Sequence, residues 1–563
     1  MPSTTTFGKT NSDLDGILRG VKWATAALTY SFPSSSTAYA GYSTGEPSNN
    51  FEALNAYQKS AVWQAYAMIA SYTALSFSET ANGDLRHAMS DVPATASGYY
   101  PDPHQSGGDA WYRNSGGTYD FPFRGNFAYA AGFLHEIGHT LGLKHPHETD
   151  NGFPVLASQF DSVEFTVMSY RSYVGASTTG LVNETWGYPQ TFMMLDIAAL
   201  QHMYGADFTT NSGNSQYTWN NHTGEMYING VGQGAPGGNK IFMTIWDGGG
   251  VDTYDLFNYT NNVEIDLRPG HWTTTSQAQL ADLHHSSTNS ALIARGNIAN
   301  ALLYQADTRS MIENARGGSG NDKITGNDLA NWLLGGNGDD KLFGRGGDDF
   351  LDGGFGTDRL DGAAGTDTVD YRFYNGVTEV NLDTGKTAFP GNTSAKETLI
   401  SIENALTGGG NDKLTGNDVA NELWAGAGND TIKGGKGNDL LIGEDGNDVL
   451  SGGAGRDVSW GGSGKDRFDF NAISESKSGS SDRDQIKDLK RGDDEIDLSN
   501  IDTNTKKSGD QQFNFIGGKK FSNKPGELRF DNKIVQGDVN GDGKADFEIR
   551  VDVNKLSGGD FIL

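Results

Sequence analysis

The chain has 563 residues, a net charge of −29 and a pI near 4.6, which disfavours a nucleic-acid or anionic-membrane partner and favours divalent cations. Its length calls for two to four domains. It holds no cysteine, so disulfides and thiolate-bound zinc are excluded, while its 78 glycines are about twice the usual share.

The opening residues, MPSTTTFGKTNSDLDGILRG, lack the basic and apolar regions of a Sec-type signal. Residues 1–16 are expected to be a short propeptide or N-terminal segment. No run of 18 apolar residues exists; AVWQAYAMIASYTAL is interrupted by Gln64 and fits an amphipathic helix. That helix is predicted to open on the capping-box-like pair Asn49 and Glu52 and to run to about Leu75. A second is predicted from about Phe127 to Leu143, broken by Gly142, and a third from about Thr191 to Tyr204, stopped by Gly205. Short β-like runs between the first two make residues 17–245 a mixed α and β domain.

Within the second helix lies HEIGHTLGLKH, residues 135–145. On a helix His135 and His139 stand one turn apart on the same face and reach one ion. Glu136 projects beside them, placed to act on a metal-bound water rather than to bind the metal. Gly142 lets the chain turn and brings His145 round as the third ligand. Three neutral imidazoles leave zinc an open position for water, whose pKa falls to about 7. Glu136 takes the proton as that water attacks a peptide carbonyl, then delivers it to the leaving amine. His147 competes for the third place, but the spacing after the glycine break selects His145. Downstream, TVMSY at 166–170 completes the metzincin pattern of HExxHxxGxxH followed by a methionine turn. Met168 is the apolar floor beneath the histidines, and Tyr170 reaches the metal or the transition-state oxyanion.

From Gly317 the texture changes to units such as GGNGDDKLF at a nine-residue period, in blocks 317–370 and 407–470. This is the glycine–aspartate signature of a calcium-binding parallel β-roll. Glycines permit the tight turns, the sixth-position aspartate supplies oxygen, and the apolar residue two further on points inward. The calcium ligands expected are Asp322, Asp340, Asp349, Asp358 and Asp367, then Asp412, Asp430, Asp439, Asp448, Asp457 and Asp466. Asn331 and Asn421 replace aspartate in the second unit of each block and should weaken those sites. DVNGDGKAD adds an EF-loop-like candidate of Asp538, Asn540, Asp542 and Asp546, without the glutamate at its twelfth position. Stacked carboxylates repel one another, so calcium should supply the folding free energy.

Together GVKWATAALTYSFP, HEIGHTLGLKHP, TVMSY, YPQTFMMLDIAALQHMYGAD, TIWDGGGVDTYDLFNY, the repeats and the closing DFIL resemble the serralysin family of secreted zinc metalloproteases. The resemblance implies an α+β metzincin-like catalytic domain (17–245), then an all-β RTX parallel β-roll (246–470), then a β-rich region (471–563) with a type I secretion signal. It implies one catalytic Zn2+ on His135, His139 and His145, with Tyr170 as a switchable ligand and Glu136 as base, and several structural Ca2+. Broad endopeptidase action on protein substrates, export through an ABC-type channel, an extracellular location and a monomeric state follow, with a proteinaceous inhibitor a further candidate partner. No nucleic acid and no stable membrane insertion are expected. The segment between His145 and Met168 is shorter than is usual in the family, and the duplicated block makes a longer roll. A calcium-dependent adhesin with an inactive protease domain and a narrow-specificity processing protease are the alternative functions. The first gives no reason for His135, Glu136, His139, His145 and Tyr170 to occur together.

Overall fold

The computed structural model describes residues 2–10, 12–285, 292–390, 396–504 and 511–563. Two compact units divide the chain, Met1–Ser319 and Gly320–Leu563. The division falls well after the expected boundary at 245/246. The reason is strand pairing: Met243–Ile245 pairs in parallel with Ile298–Asn300, which pairs antiparallel with Trp272–Thr273. Trp246, Ala281, Leu283 and Ala299 then close the same hydrophobic core as the histidine-bearing helix. Long-range pairing of this kind leaves no mark on local composition.

In the first unit a five-stranded sheet runs in the order Ser76–Glu79, Ala27–Ser31, Leu85–Ser90, Ala110–Arg113, Ala96–Gly98. The first four strands are parallel and the edge strand Ala96–Gly98 is antiparallel. Helix α1 spans Ala56–Tyr72 and buries Ala61, Val62, Ala65, Tyr66, Ile69 and Tyr72, an i, i+3/i+4 stripe. Its cap is not Asn49 but Asn55, whose side chain accepts from Gln58 N–H while the Gln58 side chain accepts from Asn55 N–H. Glu52 is held extended, exchanging two backbone hydrogen bonds with Met89. Residues 1–16, expected as a separable segment, contribute the strand Thr4–Thr6, paired with Val21–Trp23.

A π-helical stretch, Ala128–Leu134, runs directly into α2, His135–Leu141. Gly142 ends α2 at φ +109°, a conformation a side chain would oppose. Helix α3 covers Met194–Tyr204 and stops at Gly205. Among the described residues no helix is long and apolar enough to cross a membrane.

The second unit is mostly β. Successive strands alternate between two parallel sheets, so each pairs with a strand 18 residues away: Trp332–Asn337 with Phe350–Phe355, Lys341–Gly346 with Arg359–Ala364, Thr431–Lys436 with Val449–Ala454. Two nine-residue repeats thus make one turn, and Leu342, Leu351 and Leu360 point into its fully buried interior. Gly338, at φ +118°, shows why glycine is required: a Cβ there would strike the Gly320 carbonyl of the turn below. The two blocks are one coil, because the hairpin Glu379–Asn381/Lys386–Ala388 between them pairs onward with Lys413–Thr415. Antiparallel strands Glu527–Asp531, Ile534–Asp538 and Phe547–Val551 follow, and Phe561–Ile562 pairs with Glu495–Asp497.

Candidate metal centre

Helix α2 carries His135 and His139 one turn apart, and the chain reversal at Gly142 returns His145 to them. The His145 Nε2 atom lies 3.1 Å from Nε2 of His135 and 3.0 Å from Nε2 of His139. Each ring donates its other nitrogen's proton: Nδ1–H of His135 to Val167 O at 2.8 Å, of His139 to Leu143 O at 2.7 Å, and of His145 to the Glu148 carboxylate at 3.0 Å. Three Nε2 lone pairs therefore converge with no N–H among them, and about 3.3 Å is the separation that ligands at 2.0–2.1 Å take around a tetrahedral zinc ion. Burial lowers the proton affinity of the rings, His135 to about 3 and His145 to about 4, which keeps them in the neutral ligand form. The donor set fits zinc.

Glu136 is buried beside the triad, and burial raises its carboxyl to about 8. The edge strand lies against α2 here so closely that a Cβ on Gly98 would strike the Glu136 carbonyl oxygen. A cavity of about 210 Å³ opens next to His135 and Glu136, walled by Tyr119, Phe127, Tyr170 and Leu181. The Tyr170 hydroxyl donates to His145 Nε2 at 2.9 Å, and burial raises the phenol to about 12.

Met168 is fully buried under α2, and a Cβ on Gly138 would sit 2.6 Å from its sulfur. That contact explains the glycine inside the motif, which the spacing argument leaves unexplained. The sequence reading also missed Asp196 of α3. This fully buried carboxylate accepts from the Thr166 hydroxyl (2.5 Å), Val167 N–H (2.8 Å) and Met193 N–H (2.9 Å). It holds the turn whose Val167 carbonyl orients His135. Lys144 was missed too: its buried ammonium donates to the carbonyls of Gly16 (2.6 Å), Glu148 (2.8 Å) and Pro154 (2.9 Å), tying the His145 loop to the N-terminal segment. A lone charge inside an apolar run was the available signal for Asp196.

In the second unit most repeat aspartates accept, through Oδ1, the backbone N–H of the residue 18 positions earlier, as Asp340 does from Asp322 at 2.7 Å and Asp448 from Asp430 at 2.8 Å, while Asp412, the first of its block, accepts from Thr378 across the intervening hairpin. The Oδ2 atoms of Asp340, Asp349, Asp358, Asp367, Asp412, Asp430, Asp439, Asp448, Asp457 and Asp466 are buried with no hydrogen-bond partner among the described residues. Such a row of orphaned carboxylate oxygens is what a cation would satisfy. Asn331 and Asn421 differ from the aspartates. Their amides close on Asn327 and Asn417 of their own turns, at 3.1 and 3.0 Å. Asp538 and Asp546 also lie in one turn, but their oxygens accept from Gly541, Gly543, Val539 and Asn540. Two acidic sets escaped the nine-residue period. Asp484 and Asp494 continue the ladder by accepting from Asp457 and Asp466. In the first unit Asp247, Asp252 and Glu313 are buried together, with Asp252 Oδ2 unpartnered; the WDGGGVD texture was the available signal.

Residues 310–340 and 334–369 match the RTX calcium-binding nonapeptide repeat, and residues 359–563 match the peptidase M10 serralysin C-terminal domain. The chain is 29% identical to metallopeptidase AprA of Pseudomonas marginalis over 54% of its own length and 61% of the relative's. It is 32% identical to serralysin C of Dickeya chrysanthemi (40% and 42% covered) and 35% identical to serralysin of Proteus mirabilis (40% and 41%). By its C-terminal domain, its repeats and these relatives, the chain is similar to the serralysin family. It spans between about two fifths and three fifths of the relatives it matches.

Proposed function

We propose that the chain is a secreted, zinc-dependent metalloendopeptidase acting on internal bonds of proteins, with a metzincin-like catalytic domain and a β-roll folded by calcium. The observation that carries this is the convergence of three neutral imidazoles, each fixed by its second nitrogen, beside a buried glutamate. His135, His139 and His145 would hold the zinc. When bound, zinc supplies a Lewis acid that polarises a peptide carbonyl and acidifies water. Glu136, buried and with a raised carboxyl, takes a proton as the carbonyl is attacked and returns it to the departing amine. Tyr170 stays a protonated phenol across the working range and offers an O–H donor to negative charge on the carbonyl oxygen. The edge strand Ala96–Gly98 provides a backbone rail for an extended substrate, and the cavity lined by Tyr119 and Leu181 receives an adjacent side chain.

The orphaned aspartate oxygens of the roll would bind several calcium ions. Export through an ABC-type channel, read from the C-terminal region, is part of the same proposal: an acidic, cysteine-free chain that folds only in millimolar calcium would stay inactive until it leaves the cell.

The test is casein zymography with zinc and calcium, with metal content measured in parallel. Glu136→Ala should keep its zinc and lose activity by about 10²-fold or more. A wild-type protein without tightly held zinc, or an equally active Glu136→Ala, refutes the proposal.

A further inference from the structure

The loop after His145 carries a second imidazole and a carboxylate. Glu148 Oε2 accepts from His145 Nδ1–H at 3.0 Å, while its Oε1 lies 3.7 Å from His147 Nε2. That second distance is too long for a hydrogen bond but suits two ligands of one ion. The His147 ring is placed by packing: it stacks on His145 at 5.4 Å and lies 5.1 Å from Tyr170, and its buried Nδ1 has no hydrogen-bond partner among the described residues. Ligand atoms of His145, His147 and Glu148 all fall within 4.8 Å of one another.

We propose that His147 and Glu148 form a second, weaker transition-metal site on the outer side of the three-histidine site, and that filling it inhibits the protein. Imidazole plus carboxylate selects zinc or a similar borderline ion over calcium, which takes oxygen. Two protein ligands leave the remaining positions to water, so this site fills only after the three-histidine site. An ion on Glu148 Oε1 draws charge away from Oε2 and so weakens the bond to Nδ1–H that fixes the orientation and tautomer of the His145 ring. It also places positive charge against the Tyr170 hydroxyl. Excess zinc thus acts as a brake. The inhibition rests on the proposed peptidase activity; the site itself does not.

The test titrates Zn2+ into calcium-saturated full-length protein that already holds one zinc, following bound metal by calorimetry and elemental analysis, and peptide hydrolysis in parallel. A second equivalent should bind, with hydrolysis falling about tenfold as it fills, the size of an outer-partner loss. His147→Phe, which keeps the ring stack but removes both nitrogens, should lose that equivalent and resist excess zinc; Glu148→Gln should also lose it. A single equivalent in wild type, or an unchanged second equivalent in His147→Phe, overturns the proposal. Should His147→Phe misfold, Co2+ loading of wild type decides: a second set of d–d bands saturating at two equivalents supports the site, and its absence overturns it. Failure of the catalytic reading shows differently, as loss of the first, tight equivalent or of hydrolysis before any excess zinc is added.

Discussion

Calcium removal should unfold the coil at neutral pH, and the structure sets the scale. Ten repeat aspartates bury an Oδ2 atom with no partner among the described residues. Each orphaned buried acceptor costs about 1–3 kcal/mol, so together they oppose folding by roughly 10–30 kcal/mol, at or above the ~5–15 kcal/mol net stability of a typical domain. Burial, with neighbouring aspartates adding to it, raises these carboxyls: Asp340 to about 8, Asp430 and Asp439 to about 7, Asp448 and Asp466 to about 6. A carboxyl raised in the folded state keeps a proton that the unfolded chain has released. The stability of the calcium-free coil therefore falls as pH rises from the ordinary carboxylate value, about 4, through the 6–8 window, and calcium uptake there releases protons. Far-UV circular dichroism of the full chain checks this. In chelator at pH 7.5 the β signal should be largely lost and return cooperatively with calcium; at pH 5 the calcium-free chain should keep more of it. A calcium-free protein at pH 7.5 with the spectrum and melting temperature of the loaded form would refute the reasoning.

Asn331→Asp replaces an amide that closes on Asn327 with a carboxylate facing that residue's oxygen; it should raise calcium stoichiometry by isothermal titration and lower calcium-free stability. Asp196→Ala strips acceptors from the Val167 and Met193 amides and should cost about 2–6 kcal/mol in thermal unfolding of the zinc-loaded protein, whereas Asp196→Asn should stay within ~1 kcal/mol. Equal melting temperatures for the two would contradict the bracing role. Gly138→Ala drives a methyl against the Met168 sulfur and should destabilise by about 1–3 kcal/mol; adding Met168→Ala should relieve the clash, so further additive loss in the double variant would argue against it.

Wherever the chemistry follows a short period, the chain alone shows it. A spacing of four, close to one helical turn, puts His135 and His139 on one face, a glycine break returns His145, and nine residues per half-turn stack the aspartates. These relations are local, because backbone geometry converts spacing directly into position. The start of α1 was misplaced because Asn49 and Asn55 are equally good caps in isolation, and pairing of Glu52 with Met89 decides between them. Asp196 and Gly98 brace the three-histidine cluster from other elements, Lys144 ties its loop to residues far off in the chain, and the pairing of residues 243–245 with 298–300 moves the unit boundary to 319/320. Those roles come from which distant segments meet around a shared core, a property that only the tertiary structure decides.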